Sequence, residues 1–275
     1  VTEPTGGSNV ANIKTTAKII NDEYYMVNGE KYFISNGINA DYITCAVRII
    51  KNDNDARNSG IKSLAFILID VNEIMNGNGK LGYIYRSKMK TQGWKCGNTT
   101  YIIFKNCKIS RSNIIGSESN GFVPILSNFN HGRYAIAVTA NRYARNCLED
   151  AIKYAKKRHT FGKPLIKHQV IRHKIINMAI KIESTQSLIE RVTYLMNRGL
   201  KGKDIAGLMG IIKIDASKTM EYCAREASQI FGGRSYIIGG IASRVERIYR
   251  EICVNGIAEG STEILNDLIA KQAKL

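Results

Sequence analysis

The apolar residues of this chain change their period at about Gly116, and that change limits the folds open to it more than any other feature. Up to Ile115 they come in short runs rich in Ile, Val, Tyr and Thr: DYITCAVRII, SLAFILIDV, GYIYRS and TTYIIFKNCKI. Polar or glycine-containing stretches such as NDNDARNSG and NGNGK separate them. β-Branched and aromatic residues bounded by turn formers read as strands. Asn21-Asp22 and Asn28-Gly29 interrupt the first runs and are expected to be hairpin turns, because Asn, Asp and Gly tolerate positive φ.

Past Gly116 the spacing becomes helical. Leu148, Ile152 and Ala155 recur at i, i+4 and i+7, and Ile171, Ile175, Met178, Ile182, Ile189 and Val192 line one long helical face. Pro164 is expected to open that second helix and Arg198-Gly199 to close it. A third helix is expected over about 204–231, stopped by Gly232-Gly233, a fourth over about 242–255, and a shorter one after Ser261. Short connections imply antiparallel packing. The expected fold class is therefore α+β: an antiparallel, β-barrel-like domain over residues 1–115, then an antiparallel four-helix bundle over 116–275.

Composition closes off several functions. The longest apolar run, SLAFILIDV, is strand-sized and far short of the roughly 18 residues of a membrane span, so none is expected. The chain carries 40 Lys plus Arg against 23 Asp plus Glu, a net charge of +17. That charge would suit a phosphate-bearing partner, but the cations are spread from Lys14 to Lys274 and Ile, Asn and Lys are over-used throughout; no nucleic-acid surface is expected. Six cysteines lie far apart, without CxxC or zinc-like spacing, which favours free buried thiols and no structural metal. The chain starts at Val1 without a secretory or transit pattern and is expected to be an excerpt of a longer protein.

Three segments carry candidate chemistry. TEPTGGSN is a loop rich in Gly and hydroxyls that can offer backbone N–H groups and Ser8 to a phosphate or polar ring edge, or is simply a turn. KKRHTFGKP joins two helices; Arg158 can clamp a pyrophosphate, or the cations can complete a helix C-terminus. IAEGSTEI sets Glu259 between helices, as a catalytic base or as an exposed loop residue. His131 and His168 are expected to be caps or core hydrogen-bonders, and Trp94 a packing residue.

The order of these segments narrows the reading. TEPTGGSNVANIKT, KYFISNG, GWKCGNTTYIIFKNCKI, FNHGR, KRHTFGKP with KHQVI, QIFGG, and ERIYRE before AEGSTEI form a series that resembles the acyl-CoA dehydrogenase family of flavoenzymes over nearly the whole chain. The resemblance implies the middle β domain and the C-terminal helical domain of a fold whose N-terminal helical domain is absent.

It also implies a set of roles. Thr2 and Ser8 flank the loop that meets flavin and substrate respectively, and Phe33 and Ser35 match residues that pack on and hydrogen-bond the flavin ring. Arg158, Thr160 and Phe161 match a motif that reaches FAD across a subunit interface; Gln229, Gly232 and Gly233 match another FAD-contacting stretch. Ser261 and Glu263 face the cofactor, while Asn130 and Arg133 fall where acyl-CoA is held. Family members carry the catalytic glutamate either in the loop before the last helix or on the first bundle helix; here the helix position is Gly132, so the resemblance assigns the base to Glu259.

The implied reaction is α,β-dehydrogenation of an acyl-CoA thioester to the trans-2-enoyl-CoA. Glu259 takes the α-proton, a hydride leaves the β-carbon for FAD, and an electron-transfer flavoprotein receives the electrons. The resemblance further implies a homodimer or homotetramer, in the mitochondrial matrix of a eukaryote or the cytoplasm of a bacterium. Its rivals are an impaired or truncated relative, suggested by the missing domain and by FKNCKIS where an acidic strand end is usual, and an acyl-CoA oxidase-type flavoenzyme on the same fold.

Overall fold

A computed structural model describes residues 1–51, 60–119 and 121–275; of the expected turn NDNDARNSG, all but Gly60 lies outside the described residues. The chain divides into two compact units, residues 1–127 and 128–275.

The first unit is built on a seven-stranded sheet in the order β5-β6-β2-β1-β3-β4-β7. Its strands are β1 (Thr16–Ile19), β2 (Tyr24–Ile34), β3 (Tyr42–Ile50), β4 (Leu64–Asp70), β5 (Tyr83–Lys88), β6 (Thr100–Ser110) and β7 (Ile114–Ile115). The sheet is mixed. β2 takes one edge of β1 and β3 the other, so β1 and β3 run parallel while the remaining neighbours are antiparallel. The hydrogen-bonded ladder is open, with β5 and β7 at its ends, where a barrel-like closure was expected. Val27, Val47, Ile67, Ile102 and Phe104 fill its core, as the alternating pattern requires.

Asn21 makes the expected turn, its side-chain oxygen accepting from the N–H groups of Glu23 (3.0 Å) and Tyr24 (2.9 Å). Asn28-Gly29 does not. Both residues lie inside β2, where the register to β6 slips. Gly29 has φ +145, and a Cβ there would meet the Thr15 Cα at 2.6 Å, so the glycine serves a bulge and a close backbone approach. A second slip between Lys31 and Ile34 contains Phe33 at φ 59. The short helix α1 (Val71–Asn76), capped by Asp70, is an element that the sequence reading did not contain.

The second unit is helical. α2 (Phe122–Lys157) begins in the last residues of the first unit and is followed by a hairpin of β8 (His159–Thr160) and β9 (Lys163–Pro164). Next come α3 (Gln169–Asn197), α4 (Lys203–Phe231), α5 (Ser243–Ile257) and α6 (Thr262–Gln272). Ile175, Met178, Ile182, Ile189 and Val192 of α3 are buried, as their spacing demands. On α2 the buried stripe is Ala137, Ala140, Ala144, Cys147, Ala151 and Ala155, all small, while Leu148 and Ile152 stay partly covered. Asn141 bonds Gln186 at 2.9 Å across α2 and α3, and Tyr154 of α2 stacks on Phe231 of α4 at 4.4 Å.

Pro164 belongs to β9 and not to a helix start; α3 opens five residues later, with His168 at its cap. Its fixed φ and missing N–H suit a strand end as well as a first helical turn. Of the cysteines, Cys45, Cys107, Cys147 and Cys223 are buried, whereas Cys96 and Cys253 are exposed; all six are free. No helix among the described residues is long and apolar enough to cross a membrane.

Candidate active site

The end of α5 and the start of α6 are joined by the segment Ala258–Ser261, and Glu259 sits there at φ 56, followed by Gly260 at φ +107. Two consecutive left-handed residues turn the chain sharply. The cost of such a conformation for a glutamate is met only where the surroundings hold it in place.

They do so through backbone carbonyls. Arg133 of α2 is buried and donates its Nε–H to the Glu259 carbonyl at 3.0 Å and an Nη1–H to the Asn130 side chain at 3.0 Å. Asn130 in turn donates to the Gly202 carbonyl at 3.0 Å. From α4, Lys213 donates to the carbonyls of Gly256 and Gly260, each at 2.8 Å, and Ser217 donates to that of Asn255 at 3.0 Å. The last turn of α5, whose carbonyls would otherwise be orphaned, is therefore capped by side chains of its neighbour. Sequence reasoning missed Lys213 and Ser217, because Lys and Ser in a helix read as solvent-facing.

The Glu259 carboxyl lies against Gly132. A Cβ at Gly132 would stand 2.6 Å from the Glu259 Cδ and 2.9 Å from its Oε1. The helix position and the loop position singled out in the sequence thus converge on one small volume, which only one side chain can fill. Oε2 of Glu259 is buried without a hydrogen-bond partner. Burial pushes this carboxyl above the usual carboxylate range, and the nearby charges of Arg133 and Lys213 only partly oppose it. A half-buried carboxyl with a raised pKa and a buried, unpartnered oxygen binds a proton more tightly than an exposed glutamate does.

The other candidate residues fall into groups. In the first unit the carbonyl of Thr2 accepts from the Tyr32 N–H at 2.8 Å, which brings the N-terminal loop beside Phe33. Glu3 anchors that loop from inside, bonding Lys31 (2.7 Å), the Thr15 hydroxyl (2.6 Å) and the Lys14 N–H (2.5 Å). Phe33 is 60% exposed, and Ser8 and Ser35 are exposed. In the second unit Phe161 and Gly162 are the two positive-φ residues of a tight hairpin, and the Phe161 ring is 95% exposed at its tip. Thr160 bonds His168, while the Arg158 side chain is exposed. Gln229 is exposed near the end of α4, and Gly232 and Gly233 follow it with open space where a Cβ would be. Ser261 caps α6 by accepting from the Ile264 N–H, and Glu263 is exposed in the first turn. Trp94 is half-buried at φ 47. Among the described residues no cluster of three His, Cys, Asp or Glu side chains suits a metal ion.

The Glu259 loop is thus clamped within the helical unit, and the seven-stranded sheet forms a unit of its own. The description "Acyl-CoA dehydrogenase, middle domain" matches residues 1–107, and "Acyl-CoA dehydrogenase, C-terminal domain" matches residues 119–274; the chain belongs to the acyl-CoA dehydrogenase family. It is 39% identical to an acyl-CoA dehydrogenase of Alternaria alternata over 277 residues, covering 99% of this chain and 60% of that one. An acyl-CoA dehydrogenase of Bacillus subtilis is 34% identical over 98% of this chain and 66% of its own length. Among solved structures, the butyryl-CoA dehydrogenase of Megasphaera elsdenii superposes with a TM-score of 0.87 at 27% identity, covering 100% of this chain and 67% of that one. This chain spans 60% of the length of the Alternaria relative.

Proposed function

We propose that the protein carries out flavin-dependent α,β-dehydrogenation of an acyl-CoA thioester, with Glu259 as the base that removes the α-proton. The observation that carries this reading is the half-buried Glu259, its carboxyl pressed on Gly132 with one oxygen buried and unpartnered and its pKa raised. An α-proton of a thioester is weakly acidic, so its removal needs a base whose affinity for protons is strengthened by its surroundings and whose position is fixed.

The residues present fit FAD. Phe33 offers an exposed aromatic face beside the hydroxyl of Ser35 and the loop holding Thr2, which suits a planar ring with polar edges. Arg158, with Thr160, Phe161, Gln229 and the unobstructed backbone at Gly232 and Gly233, suits a pyrophosphate-linked nucleotide. Bound FAD supplies the two-electron acceptor for the hydride that leaves the β-carbon. Glu259 holds the abstracted proton on its carboxyl, and the clamp on the backbone of its loop fixes where that side chain begins. Ser8, Asn130 and Arg133 are assigned to the acyl-CoA, Ser261 and Glu263 to the cofactor side of the base loop.

The product is the trans-2-enoyl-CoA, and an electron-transfer flavoprotein is the acceptor. The exposed rings of Phe161 and Tyr236 (92% exposed), with Ile238 (77%), favour a homodimer or homotetramer in which such surface is covered. The test is anaerobic titration of flavin-loaded protein with a panel of acyl-CoAs. Bleaching of the flavin absorbance by at least one of them is expected; a flavin that none of them bleaches, or a chain that takes up no flavin, contradicts the proposal.

A further inference from the structure

Lys213 is among the largest side chains in the molecule with no exposed surface, and it lies on α4 between the buried residues Met209, Ile212 and Ala216. A buried ammonium is costly, and an apolar side chain of the same volume would commonly serve stability as well or better. Its partners show what it does there. The two carbonyls it bonds, those of Gly256 and Gly260, lie 43 and 47 residues further along the chain and flank the segment that holds Glu259. Among the described residues no salt bridge joins it to the Glu259 carboxylate, which feels its charge at longer range; its hydrogen bonds go to the backbone of the loop. The charged groups around it are Arg133 from α2, Glu259 from the loop and Glu263 from α6. Burial first, and then Arg133, bring its pKa down to about 8, the mark of a cation held in place at an energetic cost.

We propose that Lys213 is a positioning residue for the catalytic base: by tying the carbonyls on both sides of Glu259 to α4, it fixes the left-handed turn that presses the carboxyl against Gly132. The inference rests on the assignment of Glu259 as base, and it adds a residue to the machinery that touches neither substrate nor cofactor. Arg133 secures the carbonyl of Glu259 itself, so two cations from two helices hold one short loop at three points.

The test compares Lys213→Met and Glu259→Gln with the wild-type chain in two measurements. The first is amide hydrogen exchange over residues 256–262 and over the buried face of α3, in protein without ligand. The second is washout of the α-proton of 3,3-dimethylbutyryl-CoA into deuterated water in flavin-loaded protein; this thioester has α-hydrogens but none on its β-carbon, so it reports proton removal alone. Lys213→Met is expected to speed exchange in the loop by about tenfold or more while α3 changes little, and to slow α-proton washout by about tenfold or more. Loop exchange and washout like those of wild type would overturn the proposal, as would exchange raised equally in the loop and in α3. Should Lys213→Met not fold, Lys213→Gln, one bond too short to reach both carbonyls, is judged by the same two results. If Glu259→Gln keeps wild-type washout, the base assignment fails; the loop exchange of the Lys213 variant still reports whether Lys213 holds the turn.

Discussion

Glu259 and Gly132 share one volume, and each constrains the other. A methyl group at Gly132 would overlap the Glu259 carboxyl, which sits at the end of a flexible side chain and can give way. Gly132→Ala is therefore expected to keep the fold, since alanine suits the middle of a helix, but to displace the carboxyl and reduce flavin reduction by acyl-CoA by about 100-fold. Comparison of circular dichroism with stopped-flow flavin bleaching separates the two effects. The carboxyl also affects stability with a definite sign. Its pKa is raised in the folded chain, so its burial favours folding at low pH and that advantage is lost as pH rises through the folded-state value. Glu259→Gln, which removes the buried ionisation, is expected to be more stable than wild type at pH 7 by on the order of 1 kcal/mol. The difference should vanish below about pH 4, where wild type is also neutral. Equal denaturation midpoints at pH 7 would show that the carboxylate is better solvated than its environment implies.

At the scale of elements, the hairpin at Phe161-Gly162 and the N-terminal loop make separate demands. Phe161 holds a left-handed backbone that asparagine adopts more readily, and its ring is almost fully exposed. Phe161→Asn is expected to leave stability unchanged or raise it by up to about 1 kcal/mol, while flavin is retained less well through gel filtration. The N-terminal loop depends on Glu3. Burial raises its pKa, but Lys31 with the bonds from Thr15 and Lys14 outweighs burial and holds the carboxyl below its ordinary range. Lys31→Met would leave that carboxylate buried without its cation and is expected to cost about 3–5 kcal/mol, read as a lower urea midpoint by tryptophan fluorescence.

The same elements show what the sequence made legible. Strands such as Leu64–Asp70 and the apolar face of α3 follow from composition and period, because burial there repeats along one element. Asn28-Gly29 misled because the positive φ that makes a hairpin turn also makes a bulge, and only the approach of Thr15 distinguishes them. Pro164 misled because its local preferences fit two settings. The alanine stripe of α2 is invisible to a search for large apolar residues. The order of motifs points to Glu259 as the candidate base, but the clamp around it joins residues far apart in sequence, and Lys213 carries no local sign of burial.

For the whole molecule, the net charge of +17 is spread over both units, and few of its cations, chiefly Lys31, Arg133, Arg158 and Lys213, enter the site argument. The central claim is that the chain presents one preorganised base, Glu259, to an acyl-CoA. Its most direct test is stopped-flow bleaching of the flavin by acyl-CoA under anaerobic conditions, in wild type and in Glu259→Gln at equal flavin content. The account expects the wild-type chain to bleach and the variant to bind flavin normally, yet bleach slower by about 1,000-fold or more, the scale on which a positioned general base contributes. Bleaching of the variant at a rate near that of wild type would contradict it.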